Sequence, residues 1–173
     1  MDDNWTDPGY IDPVALRNTM GAFPTGVTVI TTTTGGTTPV GLTVSSFTSV
    51  SLKPPLLLVC VARTAGSLPA FRVGKHMAVN VLGRDQESVA RLFAGRSEDR
   101  FAGLDYSSSA NGSPLLAGTS AWVSGFVERI YDAGDHVILL THIEEMQRND
   151  KSPLLYHSGT MHDWNEAALT YEI

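Results

Sequence analysis

"GLTVSSFTSVSLKPPLLLVC", residues 41–60, is the stretch that decides the fold. Seven of its first eleven residues lack a large apolar side chain, and Thr43, Ser45, Ser46, Thr48, Ser49 and Ser51 carry hydroxyls. Two prolines and a fully apolar run follow. On an extended strand, side chains alternate between faces. Thr43, Ser45, Phe47, Ser49 and Ser51 then share one side, and Leu42, Val44, Ser46, Thr48 and Val50 the other. Neither side is simply apolar. Two readings fit this pattern. One is a solvent-facing edge strand, where Ser and Thr are ordinary. The other is a strand end and loop wrapped around a polar, planar ligand. Ring carbonyls and ring N–H groups need backbone donors and hydroxyls at fixed positions, not charges.

Outward from this stretch, strand signals dominate. "GVTVITTTT" alternates as a strand, "GGTTP" turns it, and "PVGLTVSSF" returns as the second strand of a hairpin. "PPLLLVCVA" is apolar on both faces and is predicted to be central. "KHMAVNVL" is a fourth strand. "SAWVSGFVERIYDAGDHVILLTHIEEMQ" gives two long strands around "DAGD", and "SPLLYHSGTMHDW" adds one or two short ones. Helices are few. Asp12 caps a predicted helix over "DPVALRNTMGAF", with Val14, Leu16 and Met20 on one face. Asp85 caps another over "DQESVARLFAG", ended by Gly95. "TAGSLPAFRVG" reads as a loop with a short helix, and "SEDRFAGLDYSSSANGSPLLAG" as a loop. Hairpins with few crossover helices predict a mainly antiparallel barrel.

Composition narrows the function. The 173 residues suit a single domain over 1–173, with its core at about 12–164. The net charge of −6, without a Lys/Arg cluster, argues against nucleic acid as a partner. The acidic start "MDDNWTDPGY" lacks a signal-peptide pattern. No apolar run approaches the ~18 residues of a membrane span. The expected location is cytoplasmic, with no membrane partner. The one cysteine, Cys60, is expected to be a small buried hydrophobe.

Few residues could carry acid–base or metal chemistry. His76, His136, His142, His157 and His162 show no zinc-ligand spacing, so no metal is expected. No GxSxG elbow supports a hydrolase, and no GxGxxG follows a strand. Arg63, Thr64 and Ser67 in "ARTAGSLPA", and Arg96 and Arg100 in "GRSEDRF", are candidate anion contacts. His136, in "AGDH", is a candidate proton donor or hydrogen-bond partner to a substrate.

In order along the chain, "FPTGVTVITT", "PVGLTVSSFTSVSLKPPLLLVCV", "VNVL", "RF", "GSPLL", "GDH" and "PLLYHSGT" resemble the flavin reductase-like family, the small reductases of two-component monooxygenases. The likeness covers about Asp12 to Trp164. It implies a mainly β fold with short helices: a six-stranded antiparallel split barrel of Greek-key type, the FMN-binding split barrel. It implies hydride transfer from NADH, with NADPH as the second choice, to FAD or FMN, with a lean to FAD. Reduced flavin would pass to a separate flavin-dependent monooxygenase, and the protein would be a homodimer with no extra domain. Backbone groups of Thr43 and Val44 and hydroxyls of Ser45, Ser46 and Ser51 would hold the flavin ring, with Phe47 in the same segment. Ala62, Thr64 and Ser67 would hold the ribityl chain and phosphate, with Arg96 or Arg100 near the phosphates. His136 would lie by the nicotinamide side of the flavin, and Tyr156, His157 and Gly159 would help close the nicotinamide pocket. Thr141 and His142 depart from the family pattern, and "RTAG" departs from its phosphate run. The alternatives are a flavoprotein that keeps its flavin and reduces ferric iron or a quinone, a non-catalytic binding module such as a flavin or haem carrier, and a β-barrel interaction protein.

Overall fold

The structure, a computed structural model, describes residues 11–97 and 99–163. The acidic stretch 1–10, Glu98 and Trp164 lie outside the described residues. Helix α1 spans Pro13–Gly21, and Asp12 caps it by accepting from the N–H groups of Val14 and Ala15. Short strand β1 (Thr25–Gly26) leads into β2 (Thr28–Thr34) and β3 (Thr38–Val44), the predicted hairpin. Next come β4 (Thr48–Leu52), β5 (Pro55–Ala62), a 3-10 turn at Leu68–Ala70, and β6 (His76–Val81). Helix α2 spans Glu87–Ala94. A ribbon of β7 (Tyr106–Ser108) and β8 (Pro114–Leu116) precedes the long hairpin of β9 (Ala121–Ala133) and β10 (His136–Arg148). Strands β11 (Leu154–His157) and β12 (Thr160–Asp163) close the described chain, pairing with β1 in a small sheet.

The main sheet is antiparallel, ordered β3-β2-β6-β9-β10-β5-β4. It has seven strands where six were expected. The difference lies in the opening stretch. Residues 41–51 are not one strand: the ladder stops at Val44, bends through Ser45–Phe47, and restarts as β4 on a different partner. The alternation of faces deduced across the break therefore fails. β5 does lie between two strands, but beside the edge, and its faces alternate buried and half-buried.

The bend shapes the whole sheet. β3 and β4 are its two edges, yet only Ser45–Phe47 join them. That link reaches about 14 Å from Val44 to Thr48. A flat seven-stranded sheet would be roughly 29 Å wide. The sheet must roll until its edges approach. No backbone ladder joins β3 to β4, so the roll stays open. Ser46 bridges part of the gap. Its Oγ accepts from the Cys60 N–H at 2.8 Å and donates to the Cys60 carbonyl at 2.9 Å, standing in for the next rung of the β4–β5 ladder.

Inside the roll sit Ile30, Leu57, Val59, Val61, Met77, Val79 and Leu139, all buried. A second core lies outside β2 and β3, where α2 packs Ala90 and Phe93 against Val29. Gly41 makes this approach possible: a Cβ there would stand 2.8 Å from the Ile30 carbonyl oxygen and 3.0 Å from the Phe93 ring. Asn80 ties the ribbon to the sheet. It donates to Val29 and Thr31 and accepts from the Leu116 N–H at 2.8 Å.

Several expectations are corrected. Gln86, not Asp85, is the residue before α2; Asp85 instead pairs with Lys151 at 2.8 Å. Val14, Leu16 and Met20 are all exposed, so α1 buries no face. Cys60 is partly exposed. The stretch read as a loop contains the β7–β8 ribbon.

Candidate functional site

The bend after β3 opens a cleft with two connected chambers. The larger, of about 540 Å³, is walled by Thr43, Val44 and Ser45 on one side, by Arg91 of α2 and Gly95 just past its end on another, and by Tyr156 and Gly159. The smaller, of about 420 Å³, lies between α1 and the turn after β11. Arg17, Asn18, Phe23 and Thr25 line it, together with Ser158. Ser45, Tyr156 and Gly159 belong to both chambers. Among the described residues, no carboxylate lines either one. Both volumes fall in the range of small-molecule sites.

Local chemistry explains the walls. The Thr43 hydroxyl donates to the Ala90 carbonyl at 2.7 Å, fixing α2 over the strand end. The Thr28 hydroxyl donates to the Val44 carbonyl at 2.9 Å. The edge offered to a ligand is therefore backbone held in place by hydroxyls, plus exposed Ser45. On the far wall, Ser158 adopts φ of 48° and Gly159 φ of 84°. The left-handed conformation at a non-glycine residue is uncommon. Here the Ser158 N–H donates to the Gly21 carbonyl at 2.9 Å, which holds the turn against the end of α1.

A third hollow, of about 180 Å³, lies further back along β3, beside Gly41, Gly66, Ser67, Ser97 and Arg100. Arg100 donates to the Gly41 and Gly95 carbonyls, each at 2.7 Å, while its Nε is buried without a partner among the described residues. This is a guanidinium paired with no acid among the described residues, next to a hydroxyl and a glycine turn. That donor set suits a phosphate. The larger chamber and the third hollow together fit a flavin: backbone and hydroxyl groups for the ring, and a cation for its phosphate end.

The Flavin reductase like domain model matches residues 20–165. The chain belongs to this family. It is 44% identical over 148 residues to a stachydrine N-demethylase reductase subunit of Rhizobium meliloti (strain 1021), covering 86% of this chain and 64% of that protein. It is 42% identical over 144 residues to the reductase component of a flavin-dependent trigonelline monooxygenase of Acinetobacter baylyi, covering 83% and 46%. The chain thus spans about half to two-thirds of the length of these relatives. Among solved structures, it matches nitrilotriacetate monooxygenase component B of Mycobacterium thermoresistibile with a TM-score of 0.86 at 32% identity, covering 92% of this chain and 90% of that one. It also matches a Streptomyces globisporus NADH:FAD oxidoreductase in complex with NAD and FAD fragments, with a TM-score of 0.82 at 38% identity, covering 92% and 99%.

Not every residue singled out in this flavin reductase-like chain reaches the cleft. Thr43, Val44, Ser45, Tyr156 and Gly159 line the chambers, and Ser67 and Arg100 the third hollow. The Ser46 hydroxyl is spent on the Cys60 backbone, and Ser51 Oγ accepts from the Lys53 N–H in the β4–β5 turn. Phe47 packs against the inner core. Thr64 and Arg96 are exposed, and Arg96 has no hydrogen bond or ion pair among the described residues. Exposed His157 stands 3.3 Å from the Ser158 hydroxyl. His136 opens β10 opposite Ala62 and lines none of the three spaces. Its Nδ1 lies 2.7 Å from Asp135 Oδ1, and that hydrogen bond, then the charge of the imidazolium, holds the Asp135 carboxyl below its ordinary range. Arg63 staples the same hairpin tip by donating to Gly134 and Asp132.

Sequence reasoning missed Arg17, Asn18, Thr25, Arg91 and Met161 as cleft residues. Arg91 announces itself only as the i+4 partner of Glu87 on α2. Arg17 sits on a helix whose apolar face suggested core.

Proposed function

We propose that this protein is an NAD(P)H-dependent flavin reductase that passes reduced flavin to a separate monooxygenase. The carrying observation is the cleft at Thr43–Ser45: a backbone edge stiffened by hydroxyls, free of carboxylates among the described residues, and joined to a second chamber. A hydride moves from C4 of NADH to N5 of the flavin, leaving NAD⁺ and reduced flavin. The protein needs no acid or base for that step; it stacks and aligns the rings. Thr43, Val44 and Ser45 hold the ring edge. Ser46 and Ser51 keep the bend in shape, with Phe47 as its inner anchor. Ala62, Thr64 and Ser67, with Arg100 and exposed Arg96, take the ribityl chain and phosphate. Tyr156, His157 and Gly159 border the nicotinamide, and His136 approaches its side of the flavin. FAD is favoured over FMN, and NADH over NADPH, in keeping with the fragments bound to the Streptomyces relative. Few charges grip the ring, which suits a flavin that must leave.

The rolled sheet corresponds to the family's split barrel, with its split at the β3–β4 gap. We also assign a homodimer. The outer side of β5 and β10 presents Leu56, Leu58, Ile138 and Leu140, which belong to neither core, and Leu52 of β4 is 86% exposed. A second copy would cover this face.

Flavin retention tests the diffusible-flavin reading. After incubation with FAD and extensive dialysis, the protein should be colourless, yet active again on adding flavin. Yellow protein that reduces NADH-dependent acceptors without free flavin would instead identify a flavoprotein that keeps its cofactor.

A further inference from the structure

The smaller chamber contains two unmet chemical demands. Thr25 Oγ1 is buried and has no hydrogen-bond partner among the described residues. A buried hydroxyl without a partner is costly, and natural structures leave few of them. Arg17 lines the same chamber and makes no hydrogen bond or ion pair with a described residue. Asn18 and Ser158 add further polar groups, while Met20 and Phe23 offer apolar surface for a planar ring. The walls come from segments far apart in sequence, α1 and the Ser158–Gly159 turn. The bond from the Ser158 N–H to the Gly21 carbonyl fastens them together. A cation, an unmet donor and an apolar wall, with no carboxylate among the described residues, match a nucleotide carrying phosphate.

We infer that Arg17 and Thr25 form the subsite for the pyrophosphate bridge of the nicotinamide dinucleotide. The inference rests on the flavin reductase reading. Ser45, Tyr156 and Gly159 are shared with the ring chamber, so ligands in the two chambers meet there. Hydride transfer needs reacting atoms about 3–3.5 Å apart. A dinucleotide anchored at Arg17 can extend its nicotinamide over the shared wall onto the flavin. The flavin phosphate lies elsewhere, at Arg100 and Ser67. Arg17 and Thr25 are thus specificity-determining residues for the donor and not for the flavin.

The test is calorimetric binding of NAD⁺ to wild type, Arg17→Gln, Arg17→Lys and Thr25→Val, with flavin binding followed in parallel by fluorescence. Arg17→Gln should raise the Kd for NAD⁺ about tenfold and Thr25→Val about threefold. Arg17→Lys should recover most of the loss. Flavin Kd should change less than about twofold in every variant. Thr25→Val should keep or raise the thermal midpoint, since it removes an unmet buried hydroxyl. Unchanged NAD⁺ binding in Arg17→Gln and Thr25→Val would overturn the subsite while leaving NADH oxidation by wild type intact. Equal weakening of flavin would overturn it too, by giving the chamber to the flavin phosphate. Wild type that neither binds NAD⁺ nor oxidises NADH would remove the underlying function as well.

Discussion

The hydroxyls that raised the first question divide into two jobs. Thr43 and Ser46 serve the protein: one holds α2 and the other replaces a ladder rung. Ser45 faces the cleft. The sequence placed all of them beside a ligand, because residue type does not reveal whether a hydroxyl points at backbone or cavity. Ser46→Ala should therefore leave the Cys60 amide and carbonyl unmet and cost about 1–3 kcal/mol of stability, read as a lower urea midpoint; an unchanged midpoint would deny Ser46 that part. His136→Ala should slow turnover through poorer nicotinamide placement, by at most ~100-fold, without abolishing it. A loss below about twofold would remove His136 from the mechanism. The partner Asp135 carries a pH signature. Its carboxyl is held below the ordinary 3.8 by the His136 hydrogen bond. A depressed acid stabilises the fold above its unfolded value, and the contribution disappears as pH falls through the lower folded value. The Asp135 contribution is thus present above pH 3.8 and is lost as pH falls below it. In His136→Ala, a carbon NMR titration should find Asp135 moved back up toward that ordinary value.

Elements with strong periodicity were legible. The β2–β3 hairpin, the β9–β10 hairpin and α1 form where alternation or capping signals put them, while α2 keeps its segment but begins at Glu87 without the Asp85 cap. The failures share one cause: tertiary partners decided what local pattern could not. Residues 41–51 read as a continuous strand because no proline or glycine interrupts 42–52, yet β4 leaves for a different neighbour. The β7–β8 ribbon was invisible because turn residues fill it, and Asn80, distant in sequence, supplies its anchor. Gly125 shows the same dependence. It pairs with Met77 on one side and Ile143 on the other, next to an irregularity in the β9–β10 register. A Cβ there would fall 1.8 Å from the His142 carbonyl oxygen. Gly125→Ala should lower stability by about 3 kcal/mol or more in thermal unfolding. Wild-type stability in that variant would mean the hairpin does not cross so closely.

At the scale of the whole molecule, the sequence carried the mainly β, antiparallel class but not what rolls the sheet. A barrel was expected from hairpins alone; what curls this sheet is a three-residue link between its two edge strands, a fact of strand order and not of residue type. The roll turns one side of β5 and β10 inward and leaves the other outward. Leu58→Glu or Ile138→Glu would place a charge in the face assigned to the dimer. Light scattering should show a dimer for wild type and a monomer for either variant; a wild-type monomer would reject the assignment. The cleft at Thr43–Ser45 carries the proposed activity. The most direct measurement is loss of NADH absorbance with the purified protein at increasing concentrations of added FAD or FMN. Rapid loss that saturates in flavin, with many flavins reduced per protein, is the expected result. Flavin binding without NADH or NADPH loss at any flavin concentration would contradict it and leave a flavin carrier.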